Sequence, residues 1–189
     1  MYDPMVIRPQ QPEASLSTPL SHAPGAAATD PLQALLEILS VICEPVTPEL
    51  AAECLERAGM ALRSRQFRDA LADLCATGQV DTLENGIRCR PELREGFTRG
   101  AVAGGRFEAL ARAVKQVLPV ARSWNRTAHY RHRDQALREV RIAFYRQDAR
   151  ALQQTLWEMD HQFPPDGVAE PALVSIGARP LDVAWLTTL

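Results

Sequence analysis

Arginine interleaved with aromatic side chains is the residue pattern in this chain that could do chemistry. From Arg122 to Arg150 the chain carries Arg122, Arg126, Arg131, Arg133, Arg138, Arg141, Arg146 and Arg150 against Asp134, Glu139 and Asp148, with Trp124, His129 and Tyr130 interspersed. Guanidinium groups hold phosphates and aromatic rings stack on bases, so the segment suits nucleic acid. Arg122, Arg126, Arg131, Arg133, Arg138 and Arg141 are the candidate contacts. A solvated helix face with local ion pairs fits the same pattern about equally well. Arg65 and Arg68 are two further candidates. They fall on the outward face of an expected helix and suit phosphates or guanine edges, although Asp69 and Asp73 share that face and oppose a phosphate field.

Other constellations point away from catalysis. His129 and His132 are three apart and could share a helix face, but Asp134 is the only acid suitably spaced, and the surrounding arginines repel a cation. The run from Gly100 to Gly105 lacks the P-loop pattern and follows no clear strand. No serine or cysteine sits in a recognisable nucleophile context. The chain reads as non-enzymatic, with no cofactor, no metal and no small-molecule substrate.

Composition narrows the class further. The 189 residues suit one domain or two small ones, and 46% hydrophobic residues suit a globular core. A formal net charge of -2 excludes a generally basic binder and leaves room for local patches. Lys115 is the only lysine, which we read as the coding bias of a GC-rich bacterial genome. No apolar run is long enough for a membrane span, and the first residues are not those of a secretory signal. Cys43, Cys54, Cys75 and Cys89 form no C-x-x-C pair and read as buried thiols of a cytoplasmic protein.

The elements that would position the arginines follow from caps and periodicity. Asp30-Pro31 and Thr47-Pro48 each give a cap followed by proline at the first helical position. The first helix carries Leu32, Leu35, Leu36, Leu39 and Ile42 on one stripe and ends at Glu44-Pro45. The second buries Leu50, Ala51, Cys54, Leu55 and Ala58 and stops at Gly59. A third, capped by Ser64 and ending at Gly78, places Phe67, Ala70, Leu71, Leu74 and Cys75 on one face. Asn85-Gly86 then predicts a type I′ hairpin with Thr82 opposite Cys89 and Asp81 opposite Arg90. Three helices and a β-ribbon over Leu32 to Arg90 are the order of a winged helix-turn-helix.

Downstream, the glycine run reads as a hinge or a helix–helix connection. Amphipathic helices follow over Arg106 to Leu118, Arg133 to Tyr145 and Ala149 to Phe163, the last two forming an α-helical hairpin. The expected fold is therefore mainly α: a winged helix with a short β-hairpin, followed by a helical hairpin domain. Its expected divisions are a flexible leader over 1–29, a winged-helix domain over 30–100, a helical domain over 101–163, and a loop with the start of a further apolar helix over 164–189. That last run, ending on Leu189, suggests the front piece of a longer protein.

The run Leu36-Glu-Ile-Leu-Ser-Val-Ile-Cys-Glu-Pro-Val-Thr-Pro-Glu-Leu50, with Ala70-Leu-Ala-Asp-Leu-Cys-Ala-Thr-Gly78, resembles the winged helix of STAND-type regulatory ATPases. It is also similar to the non-catalytic N-terminal region of bacterial Swi/Snf-type helicases. Either resemblance covers about Leu32 to Phe163 and contains neither family's nucleotide site. It implies a regulatory or interaction module of a larger nucleic-acid-acting machine, bound to a protein partner or downstream domains, with DNA as a candidate further contact. A free-standing winged-helix transcription regulator and a protein adaptor without a nucleic-acid role are the alternatives.

Overall fold

The computed structural model describes residues 30–163. The leader over 1–29 and the segment over 164–189 lie outside them. The order is α1 (Pro31–Ile42), α2 (Pro48–Arg57), α3 (Ser64–Ala76), β1 (Val80–Leu83), β2 (Gly86–Cys89), α4 (Pro91–Ala103), α5 (Phe107–Val117), β3 (Ala121–Arg122), β4 (Ala128–His129), α6 (Arg133–Tyr145) and α7 (Ala149–Gln162). The described part is mainly helical, with two small antiparallel hairpins. None of its helices is long and apolar enough to cross a membrane.

Local chemistry sets the helix starts. Asp30 accepts from the Leu32 amide at 3.3 Å, Thr47 from the Leu50 amide at 3.4 Å, and Asp148 from the Ala151 amide at 3.0 Å. α3 departs from expectation. Its cap is Arg63, whose amide donates to the Gln66 side chain at 3.1 Å, and Ser64 is already helical. Of the two expectations for the glycine run, the helix–helix connection fits its end, between α4 and α5. Gly100 to Ala103 form the last turn of α4, whose side chains pack on α1, and the chain turns only at Gly104-Gly105.

The β1–β2 register is shifted from the expected one. Val80 faces Cys89, Asp81 faces Arg88, Thr82 faces Ile87 and Leu83 faces Gly86. The turn is Glu84-Asn85, neither with positive φ, so it is not type I′. Gly86 lies in the strand at φ +134°, and a Cβ there would sit 2.4 Å from the Val46 carbonyl oxygen. That close approach is needed because Val46 exchanges both backbone hydrogen bonds with Ile87, at 3.0 and 2.8 Å, adding an isolated bridge to the hairpin. A contact 40 residues away in sequence thus decides what a local turn signal was expected to decide.

Two apolar clusters fill the interior. The larger is centred on α1, whose Ala34, Leu35, Ile38, Leu39 and Ile42 are all essentially inaccessible. α2, α3, the first hairpin, α4 and α5 surround it. The division expected at 100/101 falls inside α4, and this cluster extends on both sides of it. The smaller cluster joins α6, α7 and β4 through Ala128, Ala136, Val140, Phe144, Leu152 and Met159. α6 serves both: Ile142 belongs to the first cluster and Val140 to the second, while Tyr145 packs against each.

Two substitutions test this packing. Leu74 is 2% exposed while Leu71 on the same helix is half-buried. Leu74→Ala should cost about 2–5 kcal/mol, the usual range for emptying a buried leucine site. Leu71→Ala should cost clearly less, and equal losses in urea unfolding would contradict the assigned face. Gly59 has φ +78° and open space around an added Cβ. Gly59→Ala should therefore cost about 1 kcal/mol for its backbone conformation. Gly86→Ala adds a backbone clash and should cost several times more in the same assay.

Candidate nucleic-acid interface

The structure sorts the candidate arginines by burial. Arg138 is wholly inaccessible and Arg141 is 6% exposed, so neither is a surface contact. This corrects the expectation for both, and the reason is geometric. They lie on the face of α6 turned toward α1, α4 and α5, where carboxylates from distant parts of the chain meet them.

Every guanidinium nitrogen of Arg138 is engaged. Nη1 donates to Glu44 just beyond α1, Nε to Glu139 at 3.1 Å, and Nη2 to the Leu118 carbonyl at 2.8 Å. Lys115 reaches Glu139 at 3.4 Å, and His132 Nε2 lies 3.1 Å from Glu44. Burial pushes the Glu44 carboxyl above its ordinary range, while Arg138 and His132 pull it down. Arg141 bonds Thr98 at 2.7 Å and Glu95 at 3.3 Å, and Glu95 also accepts from Arg99 at 2.6 Å and from the Tyr145 hydroxyl. Arg146 is half-buried and pairs with Glu108 at 2.8 Å.

Arg122, Arg126, Arg131 and Arg133 stay exposed, and the first two lie within a hairpin that sequence periodicity does not reveal. Ala121 pairs with His129 and Arg122 with Ala128. The Arg126 amide donates to the Ser123 carbonyl at 2.9 Å, closing a turn over Trp124-Asn125, and Arg126 itself takes φ +69°. The Ser123 amide donates to Thr127 at 2.9 Å, and Arg122 Nη1 to the Arg126 carbonyl at 3.0 Å. None of the four arginines makes an ion pair among the described residues. Trp124, at the tip, is 97% exposed.

The hairpin is anchored at its base. Glu158 of α7, 2% exposed, accepts from the Ala128 amide at 3.2 Å and the Tyr130 hydroxyl at 2.9 Å. Gln162 accepts from the Tyr130 amide at 2.9 Å and donates to the Ala128 carbonyl. Tyr130 is therefore a structural phenol and not a stacking ring, and burial with the Glu158 bond pushes its ionisation up. His129 and His132 do not share a helix face: His129 is exposed on β4, while His132 caps α6 by accepting from the Gln135 amide at 3.3 Å.

Arg65 and Arg68 are exposed on α3, apart from the hairpin. Arg65 lies 3.6 Å from Asp69, and Arg68 donates to the Ser64 carbonyl at 3.3 Å. A groove of about 770 Å³ lies between the start of α1, the α2–α3 loop and Gly104 to Arg106. Its walls are largely alanine, glycine, Met60 and Leu62, and its one arginine, Arg106, is held by Glu37 at 2.5 and 2.8 Å. Among the described residues no group of three His, Cys, Asp or Glu side chains is arranged to hold a metal ion.

Removing one partner of a buried ion pair strands the other, at about 3–5 kcal/mol. Arg138→Gln should therefore lower unfolding free energy by that order, whereas exposed Arg131→Gln should stay within about 0.5 kcal/mol. Equal small effects in denaturant titration would return Arg138 to the surface set. In comparisons with known proteins, no family model, no curated protein and no solved structure matches this chain.

Proposed function

We propose that this chain is a non-enzymatic interaction module that touches nucleic acid through the arginines around the β3–β4 hairpin. The observation that carries this reading is the stretch from Pro119 to Arg133. It holds Arg122, Arg126, Arg131 and Arg133 with no acidic residue, and its tryptophan stands in solvent. Exposed guanidiniums without ion-pair partners among the described residues, beside an exposed aromatic, suit a phosphate backbone carrying bases. In this reading α1 to α3 with β1–β2 form a winged helix, which the element order and the Val46–Ile87 bridge support. The module regulates or positions a larger bacterial, cytoplasmic machine that acts on nucleic acid.

A second reading gives α3 a protein partner. Its exposed surface mixes Arg65 and Arg68 with Asp69 and Asp73, and the Arg65–Asp69 pair neutralises charge that a base-reading helix would present. This favours a protein surface over DNA bases for that helix, and it weakens the free-standing transcription regulator.

Fluorescence anisotropy across a salt series tests the proposal. Each arginine that neutralises a phosphate releases condensed counterion, giving a log–log slope of about −0.9 per contact on duplex DNA and about −0.7 on single strands. Replacing Arg122, Arg126, Arg131 and Arg133 by Gln should flatten the slope toward zero, while Arg65→Gln with Arg68→Gln should leave it unchanged. A slope that survives the fourfold replacement would move the interface elsewhere.

A further inference from the structure

We propose that the β3–β4 hairpin holds an unpaired nucleic-acid strand, Trp124 stacking on a base while Arg122, Arg126, Arg131 and Arg133 take the flanking phosphates. The inference rests on the nucleic-acid reading above and names its substrate class.

The tip is built for a face, not an edge. Trp124 is 97% exposed and offers a flat ring with one indole donor. In a duplex the base faces are already stacked on their neighbours, and a ring gains them only by prising a step apart at a cost of a few kcal/mol. In a single strand they are free. An indole in solvent at a turn therefore gains most from unpaired bases, and stacking is tolerant of base identity.

Rigidity supports the same conclusion. The turn is closed by the Arg126–Ser123 and Ser123–Thr127 backbone bonds, and Arg122 braces it through the Arg126 carbonyl. Below it, Glu158 and Gln162 fix both the Ala128 and Tyr130 backbones to α7. The ring is thus presented on a fixed base, which lowers the ordering cost of stacking. Charge is complementary as well: from Pro119 to Arg133 the sequence has four arginines, two histidines and no carboxylate. Asp134, in the first turn of α6, is the next acid along the chain; Glu44 and Glu158 are turned inward and already bonded to His132, Arg138 and Tyr130.

The test compares a labelled oligothymidylate of about 20 nucleotides, longer than a typical single-strand site, with a duplex of equal length at low salt. The full chain should prefer the single strand. Trp124→Ala should weaken that binding about 5- to 100-fold, the range of one lost base–aromatic stack, and leave the salt slope unchanged. Trp124→Phe should restore most of the affinity, and thermal melting of both variants should match the parent because the side chain is exposed. The oligomer should quench the parent's tryptophan fluorescence and not that of Trp124→Phe. Equal or tighter duplex binding, or an unchanged affinity in Trp124→Ala, overturns stacking while an arginine-dependent salt slope keeps the nucleic-acid reading. Binding to neither probe overturns both and makes the hairpin a protein-docking tip.

Discussion

A fully buried guanidinium holds this structure together. Taking Arg138 out of water costs several kcal/mol, and the cost is recovered only where its hydrogen bonds and charge are met inside. All three of its nitrogens are met, by Glu44, by Glu139 and by the Leu118 carbonyl. These partners come from the end of α1, from α6 itself and from the end of α5, so one side chain fixes where three elements converge. Arg141 repeats the arrangement toward α4 through Glu95 and Thr98. Apolar contact alone would let α6 slide along its neighbours, because such contact has no direction. The paired charges fix its position, since a shift of one turn would strand Arg138 without Glu44.

The rest of the smaller cluster inherits that placement. α7 packs on the opposite face of α6 through Val140, Ala143, Leu152 and Met159. From α7 a second buried carboxylate, Glu158, reaches the base of the β3–β4 hairpin. The chain of dependence therefore runs from Glu44 to Arg138, through α6 to α7, and through Glu158 to the backbone beneath Trp124. An exposed ring at the tip of a two-residue ladder would be poorly positioned by its own strands. Here its position is set by ion pairs and hydrogen bonds buried beneath it.

What the sequence disclosed and what it hid divide along the range of the interactions. Pro31 and Pro48 behind their caps, and the Tyr145 to Asp148 joint, were legible because each depends on neighbours a few residues away. The β1–β2 register was not, because Gly86 answers to Val46 and not to the turn. The β3–β4 hairpin was not, because two-residue strands carry no alternation to read. The arginines of α6 misled for a third reason. Periodicity shows which positions share a helix face, and charge ordinarily marks the outer one. α6 lies between two clusters and buries Arg138 against a glutamate 94 residues earlier. A single sequence contains both residues but not their meeting. Even so, Arg122, Arg126, Arg131 and Arg133, half of the candidate set, lie exposed on or beside one hairpin.

This sorting also explains how a chain with a net charge of -2 presents a basic edge. Glu37, Glu44, Glu139 and Glu158 are buried, and the first three pair with Arg106, Arg138 and Lys115. Their charges are cancelled at contact distance and reach solvent weakly. The arginines around the hairpin have no such partners among the described residues. At ordinary salt a charged ligand senses fields over about 10 Å, far less than the width of the protein, so the local surplus governs its approach and the overall deficit does not. α3, with Arg65 held near Asp69, has no comparable surplus. Electrostatics and exposure therefore select the same edge of the molecule, for independent reasons: one from where the acids were buried, the other from a tryptophan left in water.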